Sequence, residues 1–176
     1  MNDLDTYAKD MTPVRLLGDA INIYANGEAV HDQLSLYTHM WGLQGQKRYN
    51  SHNSKCDRNK RRQLQHYCID VFGEIVEPTW NYDMSIPKDT KEYFQKCLEW
   101  EISVYTKLNS IINSLVAGGY NNEACLIRDD LPYIAKKTEK FRRWINDFEK
   151  ANWSWEYIRI VDTKLHDKLK AKYGEE

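Results

Sequence analysis

Four long apolar seams, each stepping by three or four residues, constrain this chain more than any other feature. The first runs Leu16, Ala20, Ile23, Gly27, Val30, Leu34, Tyr37, Trp41. That spacing keeps one stripe of a 3.6-residue helix buried, so it predicts an amphipathic helix over 14–41. The second is Leu64, Cys68, Val71, Ile75, inside a helix expected over 51–77 that Pro78 stops. The third is Phe94, Leu98, Glu101, Tyr105, Leu108, Ile112, Leu115, giving a helix over 90–117. The fourth is Ile127, Leu131, Ile134, Thr138, Phe141, Ile145, Phe148, giving a helix over 123–148. Pro132 falls inside it, which requires a kink or a fresh start capped by Asp129 or Asp130.

The connections arrange these helices. Residues 42–50 read as a turn, and Gly118-Gly119-Tyr120-Asn121-Asn122 as a helix stop and turn. Residues 78–89, with Trp80, Tyr82 and Pro87, form a longer connection than antiparallel neighbours need. Bundles with one long crossover belong to the ferritin-like class. Residues 1–13 read as an arm and 14–149 as the bundle. Residues 150–176 add a further amphipathic helix through Trp153, Trp155, Ile158, Val161, Leu165 and Leu169. Its apolar face needs a partner, either the chain's own bundle or a neighbouring subunit.

Composition excludes several classes. A chain of 176 residues, 41% hydrophobic and with net charge -1, is one globular domain not evidently built for nucleic acid. No run of 18 apolar residues could span a membrane. Asp3, Asp5 and Asp10 make the N-terminus acidic, unlike a signal peptide. Cys56, Cys68, Cys97 and Cys125 show no Cys-x-x-Cys spacing, so reduced thiols and a cytoplasmic setting are expected. There is no glycine-rich phosphate loop, Gly-x-Ser-x-Gly elbow or zinc cysteine cluster. Lys55, Arg58, Lys60, Arg61 and Arg62 load the second helix with positive charge. A solvated face or a subunit contact is the expected role, ahead of phosphate binding.

The candidate site residues are polar groups where the pattern wants apolar ones. Glu101 occupies a seam position, and a buried carboxylate is costly unless paired or metal-bound. Glu28 and His31 lie at the margin of the first helix's buried face with the Glu-x-x-His spacing of di-iron bundles. A hydrogen-bonded polar pair is the plainer reading of them. Asp70 and Glu74 are four residues apart, so on a continuous helix they share a face, and His52 lies five turns earlier on that side. A rise of about 1.5 Å per residue leaves His52 roughly 27 Å from Asp70. They can meet only across a two-fold axis between subunits. One imidazole and two carboxylates suit iron.

Trp41-x3-Gly45-x3-Tyr49-x2-His52 followed by Asp70-x3-Glu74 resembles the ferritin-like DNA-protection proteins called Dps. The resemblance covers roughly residues 14–149 and implies an all-α antiparallel four-helix bundle. It also implies oxidation of ferrous iron by peroxide, with His52 from one subunit and Asp70 and Glu74 from another as ligands. Storage would follow inside a homo-oligomeric shell, of twelve subunits as in Dps. DNA binding is expected to be weak or absent, because the terminal arms carry no basic excess. The chain also departs from the family pattern. Met40 stands where Dps has a histidine, Gln63 precedes His66 where a ferritin has Glu-x-x-His, and His52 and Asp70 lie about three residues further apart than usual. The alternative reading is therefore a ferritin-like helical scaffold without a working metal site, binding protein or nucleic acid.

Overall fold

The computed structural model describes residues 13–81 and 85–174. The N-terminal arm, apart from Pro13, and Tyr82 of the long connection lie outside the described residues. Among the described residues all regular structure is helical. Helix α1 spans Pro13–Met40, α2 Gln44–Tyr67, α3 Thr90–Ala117, α4 Asn121–Arg128, α5 Leu131–Lys150 and α6 Trp155–Tyr173. Helix α1 packs against α2 and α3, and α3 packs against α4 and α5. Residues 73–89 cross from α2 to α3. This is the expected antiparallel four-helix bundle with one long crossover and an added C-terminal helix.

The turn between α1 and α2 is shorter than the sequence suggests. Gly42 takes φ +72, which a glycine adopts without a side-chain clash, and the Leu43 N–H returns to Thr38 O at 2.8 Å. Helix α2 then starts at Gln44, although no side chain at Leu43 caps it. The cap comes from α6. The Asp162 carboxylate accepts the N–H groups of Gly45 (3.0 Å) and Gln46 (2.7 Å). The apolar side of α6, with Ile158, Leu165 and Leu169, is thus buried on its own bundle, mainly against α2.

The far end of α2 also differs. Cys68–Phe72 loosens into a π turn, and Gly73 at φ +70 ends it. Cys68 is buried, but Val71 (53% exposed) and Ile75 (75%) are not on a core seam. Glu74 lies beyond the helix end, so the expected shared helical face of Asp70 and Glu74 does not form. The sequence pattern assumed an uninterrupted 3.6-residue period that the π turn breaks.

The fourth helix is split, as Pro132 requires. Helix α4 ends at Arg128, and α5 begins afresh at Leu131 with proline in its first turn. Asp130 precedes α5 without capping it through its side chain. Instead it accepts the Tyr24 hydroxyl at 2.6 Å and faces Lys60 at 3.4 Å.

The core falls into two apolar clusters. One gathers Leu17, Ile21, Leu108, Ile112, Leu115 and Ile127. The other is aromatic, with Tyr93, Phe94, Phe141, Trp144 and Phe148 joined by Ile158 and Leu165 of α6. Charged side chains reach the bundle interior at Glu101 and Lys137.

Candidate functional site: a polar centre inside the bundle

All four bundle helices contribute to this centre. Helix α1 brings His31, α2 Asp57, α3 Glu101 and α5 Lys137. His31 Nε2 lies 3.6 Å from Asp57 Oδ2 and 3.6 Å from Glu101 Oε1. Lys137 Nζ lies 2.8 Å from Glu101 Oε1. His31, Glu101 and Lys137 are buried, with side chains 2%, 1% and 7% exposed. Asn50 is the hydrogen-bonding neighbour of the His31 ring. Asp57 comes this close to α1 because Gly27 stands opposite. A Cβ there would lie 2.6 Å from Asp57 Oδ2.

The protonation pattern follows from burial and pairing. Burial lowers His31 to about 3, helped by the Lys137 charge, so the imidazole is neutral near pH 7. Burial raises Asp57 to about 7, against the pull of Lys137. Burial also raises Glu101, and Lys137 only partly offsets it. Burial alone would lower Lys137, but Glu101 and Asp57 together hold it above its usual range. The centre thus sets the Lys137 ammonium beside Glu101, a neutral imidazole and an Asp57 carboxyl that titrates near neutral pH.

A cleft of about 320 Å³ opens onto this centre. Tyr24, Gly27, Cys56, Asp57, Trp100, Tyr133 and Lys137 are among its lining residues. The Lys137 ammonium lies 5.4 Å from the Tyr133 ring centroid, a cation–π distance. Tyr133 donates its hydroxyl to Asn53 Oδ1 at 2.9 Å.

Of the six residues singled out in the sequence, His31 and Glu101 meet at this centre. Glu28 turns to the margin, where it accepts from Arg58 at 2.6 Å and Arg61 at 3.0 Å. It is therefore an ion-paired carboxylate, its partners the two arginines rather than His31, so Glu28 and His31 do not form the polar pair that the plainer reading expected. Those arginines, and Lys60 on Asp130, place three of the five residues of the basic run in intrachain pairs. His52 lies elsewhere on α2, stacked on Tyr173 of α6 at 4.1 Å with Nε2 3.5 Å from Cys56 Sγ. Asp70 is exposed in the π turn and Glu74 is exposed past it. Asp57 and Lys137 were missed. The readable signal was Lys137 itself, three residues after Ile134 and four before Phe141 on the apolar stripe of α5.

A di-iron site of the Glu-x-x-His kind would lie at the bundle centre, and the residues there do not fit it. A protonated lysine has no lone pair to give a metal, and here its ammonium already neutralises Glu101. Among the described residues no three His, Cys, Asp or Glu side chains are arranged to hold a metal ion.

No sequence-family profile and no curated protein matches the chain. Solved structures do match. An engineered closed form of the Archaeoglobus fulgidus ferritin is 11% identical with a TM-score of 0.77, over 88% of this chain and 94% of that one. The open-pore ferritin of the same hyperthermophilic archaeon is 10% identical with a TM-score of 0.78, over 88% and 95%. A humanized archaeal ferritin is 11% identical with a TM-score of 0.79, over 88% and 94%. At such identities the likeness speaks for architecture alone, and the architecture is that of the ferritin-like fold.

Proposed function

We propose that the chain is a metal-independent ferritin-like scaffold that works by association, first with copies of itself. One observation carries this reading. The cation at the bundle centre is the Lys137 ammonium, 2.8 Å from Glu101 and held by the chain itself. A tethered cation neutralises buried carboxylates without any metal uptake, so the bundle is complete as synthesised. Self-association is supported by the apolar residues left outside the bundle on the π turn and crossover. Ile69, Val71, Ile75 and Trp80 are 46%, 53%, 75% and 52% exposed. Arg58 and Arg61 are engaged with Glu28, which argues against phosphate binding along α2. The four cysteines are free thiols, which suits a reducing cytoplasm.

The second reading is iron oxidation and storage in a Dps-like shell. The likeness to archaeal ferritins and the presence of His31 and Glu101 at the bundle centre favour it. In that reading His52 would pair with Asp70 and Glu74 across a subunit interface. His52 Nε2 lies 3.5 Å from Cys56 Sγ, a contact that would give way if Nε2 were the ligand.

Metal analysis and ferrous oxidation separate the two. The purified chain is expected to hold far less than one metal per subunit and to oxidise ferrous iron, with or without peroxide, no faster than buffer. Stoichiometric iron together with oxidation lost in His52→Ala or Glu74→Ala would establish the second reading instead.

A further inference from the structure

We propose that the cleft between the bundle helices binds one flat, uncharged amino-heterocycle, a base of the adenine or cytosine kind, whose N–H and ring-nitrogen edge pairs with the Asp57 carboxyl. This goes beyond the association reading and does not rest on it. The support begins with unused hydrogen-bonding capacity. Asp57 lines the cleft with its side chain only 17% exposed. Among the described residues no protein group donates a hydrogen bond to it, and His31 Nε2, at 3.6 Å, is beyond hydrogen-bond length. Other polar groups on the wall are already engaged. Lys137 is 2.8 Å from Glu101, Tyr24 donates to Asp130, Lys60 faces the same Asp130 at 3.4 Å, and Tyr133 donates to Asn53. Buried polar groups are rarely left without a partner, so Asp57 points to a donor that enters the cleft.

Size, lining and charge narrow the class of ligand. At about 320 Å³ the cleft lies at the small end of ligand pockets. Tyr24, Trp100 and Tyr133, with Ile23 and Val104, give it aromatic and apolar wall for a flat ring. Lys60 and Lys137 balance Asp57 and Asp130, so the lining as a whole favours neither a cation nor an anion. Both lysines already face carboxylates, which leaves no spare cation for a phosphate, so a base suits the cleft better than a nucleotide. Burial raises Asp57 to about 7, so near neutral pH the carboxyl is in part protonated and then offers an O–H donor beside a C=O acceptor. An N–H donor next to a ring-nitrogen acceptor complements that edge with two bonds at once, the geometry by which side-chain amides read adenine. Gly27 keeps the carboxyl free to face the cleft, because a Cβ there would lie 2.6 Å from Asp57 Oδ2.

The test titrates the full chain with 9-methyladenine by calorimetry. Binding of one molecule per chain is expected, with a dissociation constant below about 1 mM. The control 9-methylpurine lacks the amino donor and is expected to bind at least about tenfold more weakly, as is 9-methyladenine to Asp57→Leu. Asp57→Asn keeps a donor beside an acceptor and is expected to bind within about threefold of wild type. If Asp57→Leu does not fold, the two purines compared on wild type decide the question. The inference is overturned if wild type shows no saturable binding up to about 10 mM, if the two purines bind alike, or if folded Asp57→Leu binds as wild type does. It is also overturned if benzamidinium binds more tightly than 9-methyladenine and is lost in Asp57→Asn, since the cleft would then take a cation. Light scattering reads self-association separately, so failure here leaves the association reading standing.

Discussion

The Asp162 carboxylate of α6 seats directly on Gly45 of α2, accepting its N–H at 3.0 Å, and a methyl group at Gly45 would overlap the Asp162 main chain. One side chain of a peripheral helix therefore caps the bundle's second helix, and the absence of one Cβ permits it. Asp162→Ala should cost about 1–2 kcal/mol, the usual worth of a helix cap. Gly45→Ala should cost at least as much, because α6 must move away from α2. Urea denaturation followed by circular dichroism checks both, and near-neutral values would show that α6 is not docked this way.

Lys137 and Glu101 should behave as one unit. Lys137→Met strands a buried carboxylate and should cost about 3–5 kcal/mol. Adding Glu101→Leu removes that carboxylate and should recover most of the loss. The coupling energy from the four proteins is the measurement, and strictly additive effects would mean the pair does not exist.

The polar centre also predicts opposed pH dependences. Asp57 is raised from 3.8 to about 7, so the folded chain keeps its proton longer than the unfolded chain does. Its contribution therefore falls as pH rises from about 4 to about 7. His31 is lowered from 6.5 to about 3, so the unfolded chain takes up the proton first. Its contribution rises with pH from about 3 to about 6.5. In wild type the two oppose each other over the shared range, and Glu101, also raised by burial, adds to the decline with pH. Asp57→Asn should unmask stability that climbs between pH 3 and 6.5, and His31→Asn stability that declines between pH 4 and 7. Melting temperatures across that range, referred to wild type, test the signs.

Association should depend on the exposed apolar residues of the π turn. Ile75→Asp, at a position 75% exposed, should leave helicity and melting of the single chain unchanged. It should shift the assembly towards monomer by at least about tenfold in concentration, as light scattering would show. A monomeric wild type at high concentration would contradict the self-association part of the account.

The seams of the first, third and fourth helices were legible, apart from the exposed Tyr105 whose neighbour Val104 is buried instead, because burial imposes a helical period on the sequence. Glu101 stood out for the same reason, as a carboxylate in an apolar slot. Three features were not legible, for different physical causes. The early start of α2 depends on Asp162, more than a hundred residues away, so no local signal announces it. The π turn at Cys68–Phe72 keeps an apolar pattern while shifting its phase, so Val71 and Ile75 read as core and are not. Lys137 lies at apolar-stripe spacing, but a lone lysine among charged neighbours reads as surface. Only its pairing across the bundle with Glu101 gives it meaning, and sequence spacing does not report contacts between helices.

The central claim is that an ammonium, and not a metal, is the cation at the bundle centre. Crystals soaked in ferrous iron, with anomalous diffraction recorded at the iron edge, test it most directly. The account predicts Lys137 Nζ within hydrogen-bonding distance of Glu101 and no anomalous peak between α1, α2, α3 and α5. An iron peak ligated by His31 and Glu101, with Lys137 displaced, would contradict it.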